Sequence, residues 1–271
     1  MLESENDRTL LEDSLKIVDA AKEHDVTLRL LGAVAISLHS REFVHLYQSL
    51  KRLGDANRGF TDMDLIGYAR QRAKVRELME DRLGYVVDQN VLLFRGKERL
   101  LYHHSQGVYN VDIFFDKLNF SHEISIGSDP KTGRLLLDYP TLSPTDLLLE
   151  KLQIHSISQK DLKDIIVLLR AHQLDFRDDP DLINMKYVAM ILSDDWGFWK
   201  DATTNLQDVL SYSQKYRDEE TLSEPDFSDV SSKADRILEA IAKQPKTLKW
   251  KLRERSGEGK QWWNTVEEIS R

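Results

Sequence analysis

The chain has 271 residues, of which 31% are charged and 41% hydrophobic, and its formal net charge is −8. This composition is typical of a globular protein with one large domain or two modest ones, and the acidic balance argues against a globally basic nucleic-acid binder while leaving room for a local basic patch. The absence of cysteine excludes disulfides, zinc–thiolate sites and cysteine nucleophiles.

The first residues of the chain are acidic and polar and lack the apolar core of a signal peptide. There is also no apolar run of about 18 residues, so we expect no transmembrane helix and no membrane partner. These features are compatible with a cytoplasmic protein, which is the location we predict.

A helix, a strand and a second helix are predicted in succession near the N-terminus. Apolar residues at helical spacing predict an amphipathic helix over residues 8–24, and branched residues predict a strand over 26–31. Gly32 follows at once, and the apolar residues 33–39 suit a short helix. A glycine between a strand and a helix start can form a phosphate-binding geometry, because the backbone can approach a ligand and the helix offers free N–H groups. An ordinary strand-to-helix turn that needs a glycine is the alternative.

Residues 61–67, TDMDLIG, are predicted to form a short strand after a polar connection over residues 40–60. Successive side chains of a strand point to opposite faces, so Asp62 and Asp64 share one face. Carboxylate oxygens are the ligands that Mg²⁺ prefers, and two of them at this spacing can converge on one ion or an ion pair. Taken alone, such a pair is more often an exposed strand end or turn.

A third carboxylate lies in a later strand. The next predicted elements are a helix over about residues 69–82 and strands over 85–87, 91–94, 100–103, 110–116 and 134–139. Asp112 lies in the strand at 110–116, which is otherwise largely apolar. A buried acid there is costly unless it is paired, hydrogen-bonded or bound to metal. A salt bridge to a basic residue is at least as good an explanation as a metal ion.

The composition becomes helical after residue 140. Ser143 and Pro144 form a helix start, and Ser158 caps a second helix. Lys151 lies on or beside the apolar face of the first helix, where it either extends to water or meets an anionic group. Further helices are predicted over about residues 181–193, 201–217 and 230–243, with a solvated loop over 219–228.

The segment 243–271 is basic and aromatic. It carries eight Lys and Arg against four Glu, interleaved with Trp250, Trp262 and Trp263. Such a mixture can bind single-stranded nucleic acid by charge and stacking. It also occurs where a terminal segment packs on its own acidic domain, which is the interpretation we favour.

Taken in order, the glycine helix start at Gly32, the strand with Asp62 and Asp64, and the later strand with Asp112 resemble the nucleotidyltransferase superfamily with the polymerase-beta-like fold. The resemblance covers about residues 27–170. It implies an α+β fold, with a nucleotidyltransferase-like mixed sheet flanked by helices and followed by a helical C-terminal domain.

The second half of the chain is similar to one branch of that superfamily, the AbiEii/AbiGii-type toxin nucleotidyltransferases. Its helical segment carries Lys151 on one helix, ahead of Asp161 and Asp164 on the next. On this basis we expect a nucleotidyltransferase-like domain over residues 1–140 and a helical domain over residues 141–271.

The resemblance implies a transferase that moves a nucleoside monophosphate from a nucleoside triphosphate (NTP) to a hydroxyl acceptor and releases pyrophosphate. Asp62 and Asp64 would hold Mg²⁺ or Mn²⁺, and Asp112 would complete the acceptor-side metal and help deprotonate the hydroxyl. The acceptor could be RNA such as a tRNA end, a protein or a small molecule. A toxin-like role would add an antitoxin or another protein as partner.

The resemblance also implies the nucleotide-binding residues. Gly32 and Ala33 would bind the β- and γ-phosphates through their backbone N–H groups, and Lys151 would meet the triphosphate as a point charge. Asp161 and Asp164 would hold Lys151 or the acceptor, although capping and solvating their own helix is the interpretation we favour.

The sequence departs from the family pattern in two places. Ala33 stands where the family has a second Gly or Ser, and the gap between Gly32 and Asp62 is long. The alternative is therefore a catalytically degenerate protein of the same fold that binds a nucleotide or a partner. A third hypothesis is a structural domain that only binds metal.

Overall fold

The computed structural model describes residues 5–52 and 59–265. The elements of its N-terminal part are, in chain order, α1 (Glu5–Glu23), β1 (Leu28–Leu31), α2 (Gly32–His39), α3 (Val44–Ser49), β2 (Met63–Gly67), α4 (Arg72–Arg76), β3 (Val86–Val87), α5 (Gln89–Arg95), β4 (Arg99–His103), β5 (Asn110–Phe115), β6 (Lys117–Asn119) and β7 (Glu123–Ser125). Those of its C-terminal part are α6 (Pro144–Leu152), α7 (Gln159–Ala171), β8 (Gln173–Asp175), β9 (Leu182–Asn184), α8 (Met185–Leu192), α9 (Trp196–Asp218), α10 (Glu224–Lys243) and α11 (Leu248–Glu254).

The described residues group into two compact units. The first unit contains residues 5–38, 59–118 and 125–143, and the second contains residues 39–52, 119–124 and 144–265. The division of the chain into domains 1–140 and 141–271 stays a prediction.

The first unit is built on a five-stranded mixed sheet with the strand order β1-β2-β5-β4-β3. β2 and β5 run parallel, and the other neighbouring strands pair antiparallel. The alternating apolar residues on one face form the core of this unit, and α1 packs beside β1. The fully buried members of that face are Leu28, Leu30, Met63, Leu65, Leu100, Tyr102, Val111 and Ile113.

The second unit is mainly helical, with α9 packed on α7 and α10, and α8 packed on α10. Helices α7 to α11 each begin with a side chain that accepts a hydrogen bond from a backbone N–H of the first turn. Such caps satisfy N–H groups that the helix itself leaves without partners. The predicted α+β class, a mixed sheet flanked by helices and followed by a helical C-terminal region, is confirmed.

Two predicted strands are wrong. Residues 91–94 belong to helix α5, because the Asp88 carboxylate accepts a hydrogen bond from the Val91 N–H at 2.9 Å and starts a helix there. Leu93 and Phe94, which a buried strand would hide, are 76% and 80% exposed. Residues 134–139 form a 3₁₀ turn, Arg134–Leu136, instead of a strand.

Three helix predictions need correction at their ends. Helix α10 begins at Glu224, inside the predicted loop over 219–228, because Ser223 caps it and Pro225 suits the first turn. The helix predicted over 181–193 is preceded by β9, which pairs parallel with β8. The helix predicted over 69–82 exists, but it ends in a π-helical stretch, Glu77–Arg82.

Within residues 5–52 and 59–265, no helix combines the length and the apolar character needed to cross a bilayer.

Asp7 on α1 holds the segment that leads into β2. Its carboxylate is 3% exposed and accepts hydrogen bonds from the Gly59 N–H at 2.8 Å and the Phe60 N–H at 3.1 Å. Charge-assisted bonds of this kind are stronger than neutral ones. Asp7 therefore fixes the approach to Asp62, two residues further along the chain.

We predict that Asp7→Ala lowers the free energy of unfolding by about 2 kcal/mol, because two half-buried N–H groups lose a charged acceptor. Urea denaturation followed by circular dichroism measures this loss, and hydrogen exchange should become faster at Gly59 and Phe60. Glu12→Ala, at an exposed position on the same helix, is the matched control and should change stability by less than about 0.5 kcal/mol. Equal effects of the two substitutions would contradict the anchoring role.

Candidate functional site

The register of the sheet places the predicted carboxylates side by side. Leu31 pairs with Asp64, Asp64 with Asp112, and Asp112 with Leu101, so these residues form one row across β1, β2, β5 and β4. Neighbouring strands lie about 4.8 Å apart, and directly opposed residues on parallel strands point to the same face. The sheet therefore brings Asp64 and Asp112 together although 47 residues separate them in the sequence.

Asp62 and Asp64 lie on the more accessible face of the sheet. Both are half-buried, whereas Met63 and Leu65 between and after them are fully buried on the other face. Asp62 immediately precedes β2, and its carboxylate accepts a hydrogen bond from the Thr61 hydroxyl. The strand alternation predicted from the sequence is confirmed at this position.

Gly32 brings the start of α2 against Asp64. Its φ is +70°, in the left-handed region, and a Cβ added there would lie 3.0 Å from Asp64 Oδ2. Glycine is needed for the conformation and also for the close approach. A helix N-terminus favours an anion, so this arrangement suits the Asp64 carboxylate and would also suit a phosphate beside it. Ala33 follows in the first turn and is half-buried.

Asp112 is held by Arg99, an arginine for which the sequence alone predicted no role. Arg99 on β4 donates from Nε to Oδ1 and from Nη2 to Oδ2 of Asp112, both at 2.6 Å. Arg99 stands diagonally across from Asp112, opposite Phe114, and its guanidinium lies over that ring at 5.2 Å. Asp112 is 2% exposed. The salt bridge that was the alternative to a metal ligand is therefore the contact observed.

The contacts of the three carboxylates decide which of them can hold a metal ion. Within the described parts of the chain, no three His, Asp or Glu side chains are grouped to hold a metal ion. Mg²⁺ is commonly bound by one or two carboxylates together with substrate phosphates, which is a donor set that Asp62 and Asp64 can supply. Asp112 does not fit as a third ligand while Arg99 takes both of its oxygens.

Lys151 lies in the second unit, inside a buried charge network. Its Nζ lies 2.9 Å from Asp161 Oδ1 and 3.1 Å from Asp164 Oδ2. Arg52 completes the network with a bidentate contact to Asp164 at 2.5 and 3.0 Å, and the Ser158 hydroxyl donates to Asp161. Asp161 and Asp164 are buried and hold Lys151, so the interpretation that we favoured, in which they only cap and solvate their own helix, is wrong.

The network explains the charge state of its members. Burial alone would lower the pKa of Lys151, but the carboxylates of Asp164 and Asp161 outweigh it and hold that pKa above its ordinary value. Burial alone would raise the pKa of Asp161, but Lys151 and the Ser158 hydroxyl hold it below its ordinary value. Lys151 and Asp161 are therefore both charged at neutral pH, and the charge of Lys151 is already neutralised by protein carboxylates.

Another buried carboxylate of this unit, Asp201, could not be identified from the sequence because its partners are far apart along the chain. It accepts hydrogen bonds from His122 Nε2 at 2.7 Å, His155 Nδ1 at 3.1 Å and Trp262 Nε1 at 3.0 Å. Trp263 stacks on His155 with the ring centroids 3.7 Å apart. These contacts fix the C-terminal segment to the unit.

The predicted packing of the basic tail is thereby confirmed for its tryptophans. Trp250 is 5% exposed and lies 5.1 Å from the ring of Trp199. Trp262 and Trp263 make the contacts to Asp201 and His155 described above. The three rings serve the internal packing of the second unit, which weakens the interpretation that they stack on nucleic acid.

The chain is similar to the crystal structure of an antigenic nucleotidyltransferase-like protein from Paracoccidioides brasiliensis. The sequence identity is 13% and the TM-score is 0.40, over 91% of this chain and 96% of that one. No protein-family model matches the chain, and no curated protein matches it. Because the identity and the TM-score are both low, the nature of the site depends on its own geometry.

Lys151→Ala should lower the free energy of unfolding by about 3–5 kcal/mol, because two buried carboxylates lose their shared cation. Urea denaturation at pH 7 measures the change. Lys160→Ala removes an exposed lysine at the start of α7 and should change stability by less than about 0.5 kcal/mol. A Lys151→Ala protein as stable as the wild type would show that the network is dispensable and would return Lys151 to the role of a ligand-binding cation.

Proposed function

We propose that the protein is a nucleotidyltransferase, dependent on Mg²⁺ or Mn²⁺, that moves a nucleoside monophosphate from an NTP to an acceptor hydroxyl. The observation that supports this most is that Asp62 and Asp64 share one face of the sheet, with the start of α2 at Gly32 against the Asp64 carboxylate. Two acidic positions and a helix N-terminus on one sheet face suit a phosphate chain and a divalent ion together.

The roles of the residues follow from their contacts. Asp62 and Asp64 would hold the divalent ion, which when bound neutralises phosphate charge as it develops during displacement. The N–H groups at Gly32 and Ala33 would donate to phosphate oxygens and orient the triphosphate. Positioning of this kind supplies most of the catalysis in phosphoryl-transfer reactions, since the protein has little covalent chemistry to perform.

Asp112 and Lys151 would take part only after giving up their present partners. Asp112 could accept a proton from the acceptor hydroxyl once Arg99 had released one of its oxygens. Lys151 could reach a triphosphate only by leaving Asp161 and Asp164. The proposal therefore depends mainly on Asp62, Asp64 and Gly32.

The acceptor, the partners and the location belong to the same proposal. The acceptor is RNA such as a tRNA end, a protein or a small molecule, and the protein acts in the cytoplasm. Membership of the AbiEii-type branch, a toxin-like activity and an antitoxin partner are further parts of the proposal that depend on the helical segment with Lys151, Asp161 and Asp164.

The Arg99–Asp112 pair favours a second candidate function, a catalytically degenerate protein that binds a nucleotide or a partner. A bidentate guanidinium held at 2.6 Å satisfies both oxygens of a buried carboxylate with an internal cation. An acid neutralised in this way needs no metal ion. Such a protein would bind NTP at Gly32 and Asp64 without turnover.

Thermal melts of the wild type with each of the four NTPs, with and without Mg²⁺, test the site. A ligand that binds only the native state at about 100 times its dissociation constant adds about 2.7 kcal/mol of stability. We expect a Mg²⁺-dependent shift with at least one NTP, and its loss in Asp62→Ala/Asp64→Ala. Asp81→Asn, an exposed acid of the same unit, is the control and should keep the shift.

Release of pyrophosphate separates transfer from binding. The preferred NTP is incubated with candidate acceptors, and we expect Asp64→Asn to lose at least about 100-fold in rate, an effect of about 2.7 kcal/mol on the barrier. A folded Asp64→Asn protein with full transferase activity would overturn the assignment. NTP binding without turnover by the wild type would favour the degenerate protein.

The variant Arg99→Ala tests whether a divalent ion can take the place of the Arg99 guanidinium at Asp112. We expect this variant to lose about 3 kcal/mol of stability without divalent ions, because Asp112 is left buried without a partner. If Asp112 can serve as a metal ligand, Mn²⁺ should restore more stability to Arg99→Ala than it adds to the wild type. Arg82→Ala, which removes an exposed arginine paired with Glu77, is the control. The absence of any Mn²⁺ rescue would confine the metal to Asp62 and Asp64.

A further inference from the structure

A groove of about 300 Å³ lies between α8 and α10 of the second unit. Its floor is apolar and includes Met185, Ala189 and Ala240, of which Met185 and Ala189 are 3% and 2% exposed. Because alanine side chains are small, they leave space between α8 and α10, which we call the slot.

Phe176 also lines the groove, from the connection that follows β8. Its side chain is 64% exposed, although the backbone around it is well held. The Phe176 N–H donates to Asp175 Oδ1 at 2.6 Å, and Arg177 pairs with Asp175 at 3.2 Å and with Asp179 at 3.7 Å. A large apolar ring kept exposed by an ordered turn beside a cavity is available for stacking.

The rim of the groove is cationic in a chain whose net charge is −8. It carries Lys186 on α8 together with Arg236 and Lys243 on α10, against the single acid Glu239. Glu239 is paired with Lys243 at 2.6 Å. The side chains of Lys186 and Arg236 make no ion pair or hydrogen bond with any residue in the described parts of the chain. Two exposed cations thus face the groove without an acidic partner.

We propose that this groove binds one nucleotide, with the base in the slot beside Phe176 and the phosphate at Lys186 and Arg236. Base–aromatic stacking and cationic phosphate contacts are the two interactions from which such sites are built. The volume lies at the lower end for ligand pockets, which suits one nucleotide better than a longer segment.

The inference goes beyond the proposed transfer reaction, because all residues of the groove belong to the second unit. The carboxylate that lines the groove, Glu239, is already paired with Lys243. A free mononucleotide and the end nucleotide of an RNA chain both carry the base and the phosphate that this groove would bind. The experiment separates these two sources.

Isothermal titration of the full chain in EDTA tests the groove without contribution from a metal-dependent site. The ligands are the four 5′-mononucleotides, adenosine, and a single-stranded ten-nucleotide RNA with a 5′-phosphate. We expect Phe176→Ala to weaken nucleotide binding roughly tenfold, as for the loss of a base stack. Lys186→Glu/Arg236→Glu should weaken it at least roughly tenfold and reduce its salt dependence.

The matched control is Lys251→Glu/Arg255→Glu, which makes the same charge change at exposed positions away from the groove. It should keep wild-type affinity, and melting temperatures should show that every variant is folded. Equal losses in both charge-reversal variants would mean non-specific attraction and would overturn the site. No heat with any nucleotide or RNA at millimolar concentration, or equal affinity for adenosine and AMP, would overturn it as well.

The remaining outcomes assign the source. Binding of mononucleotides identifies a free nucleotide site, and binding of the RNA alone identifies an RNA end, provided that Phe176→Ala abolishes either. Asp64→Asn should leave this binding unchanged. Absence of a Mg²⁺-dependent NTP shift in the wild type, together with nucleotide binding in EDTA, would therefore overturn the proposed transfer reaction and leave the groove in place.

Discussion

A carboxylate buried in a protein must be given a cation or a set of hydrogen-bond donors, and this requirement shapes both units of the chain. Asp112 receives a guanidinium from a neighbouring strand, and Asp164 receives Lys151 together with Arg52. Asp201 takes three ring N–H groups, and Asp7 takes two backbone N–H groups. Arg99 and Lys151 come from the strand or helix just before the acid, whereas the other partners lie 46 or more residues away. Three of these four buried acids therefore also fix long-range contacts.

The groups that compensate the charge of each acid determine whether that carboxylate is still able to bind a metal ion or accept a proton. Asp62 and Asp64 are half-buried at the start of β2, on the face opposite the apolar core, where water and a ligand can compensate their charge. Asp112 is almost fully buried and carries its own cation. A guanidinium differs from a divalent ion because it is tethered and cannot follow a substrate. Asp112 is therefore structural while Arg99 binds it, and it could become reactive only if a ligand replaced Arg99.

The features predictable from the sequence are those that local pattern controls. The helix start at Gly32 and the alternation around Asp62 and Asp64 depend on neighbouring residues, and both are found as expected. The strand predicted over 91–94 failed because four apolar residues fit a strand or a helix equally, and the Asp88 cap decided between them. The start of α10 was missed because serine, proline and acids also mark loops.

The contacts that define the sites could not be predicted in the same way, because they depend on register. Arg99 reaches Asp112 only because β4 and β5 are aligned so that the two stand diagonally on one face. A shift of one residue would place the arginine on the apolar face. Asp201 likewise meets His122 and His155 through tertiary packing alone. The sequence contains the charges, and the strand and helix alignments determine which of them meet.

The net charge of −8 does not decide where an anion can bind. At Asp62 and Asp64 the local charge is negative, so a phosphate would be favoured there only through a divalent ion and the helix start at Gly32. In the groove of the second unit, Lys186 and Arg236 supply fixed positive charge without any ion. A phosphate at the acidic site would therefore depend on metal. One in the groove would depend on salt, because dissolved ions screen exposed cations such as Lys186 and Arg236. The same ligand group would thus respond to different solution conditions at the two places.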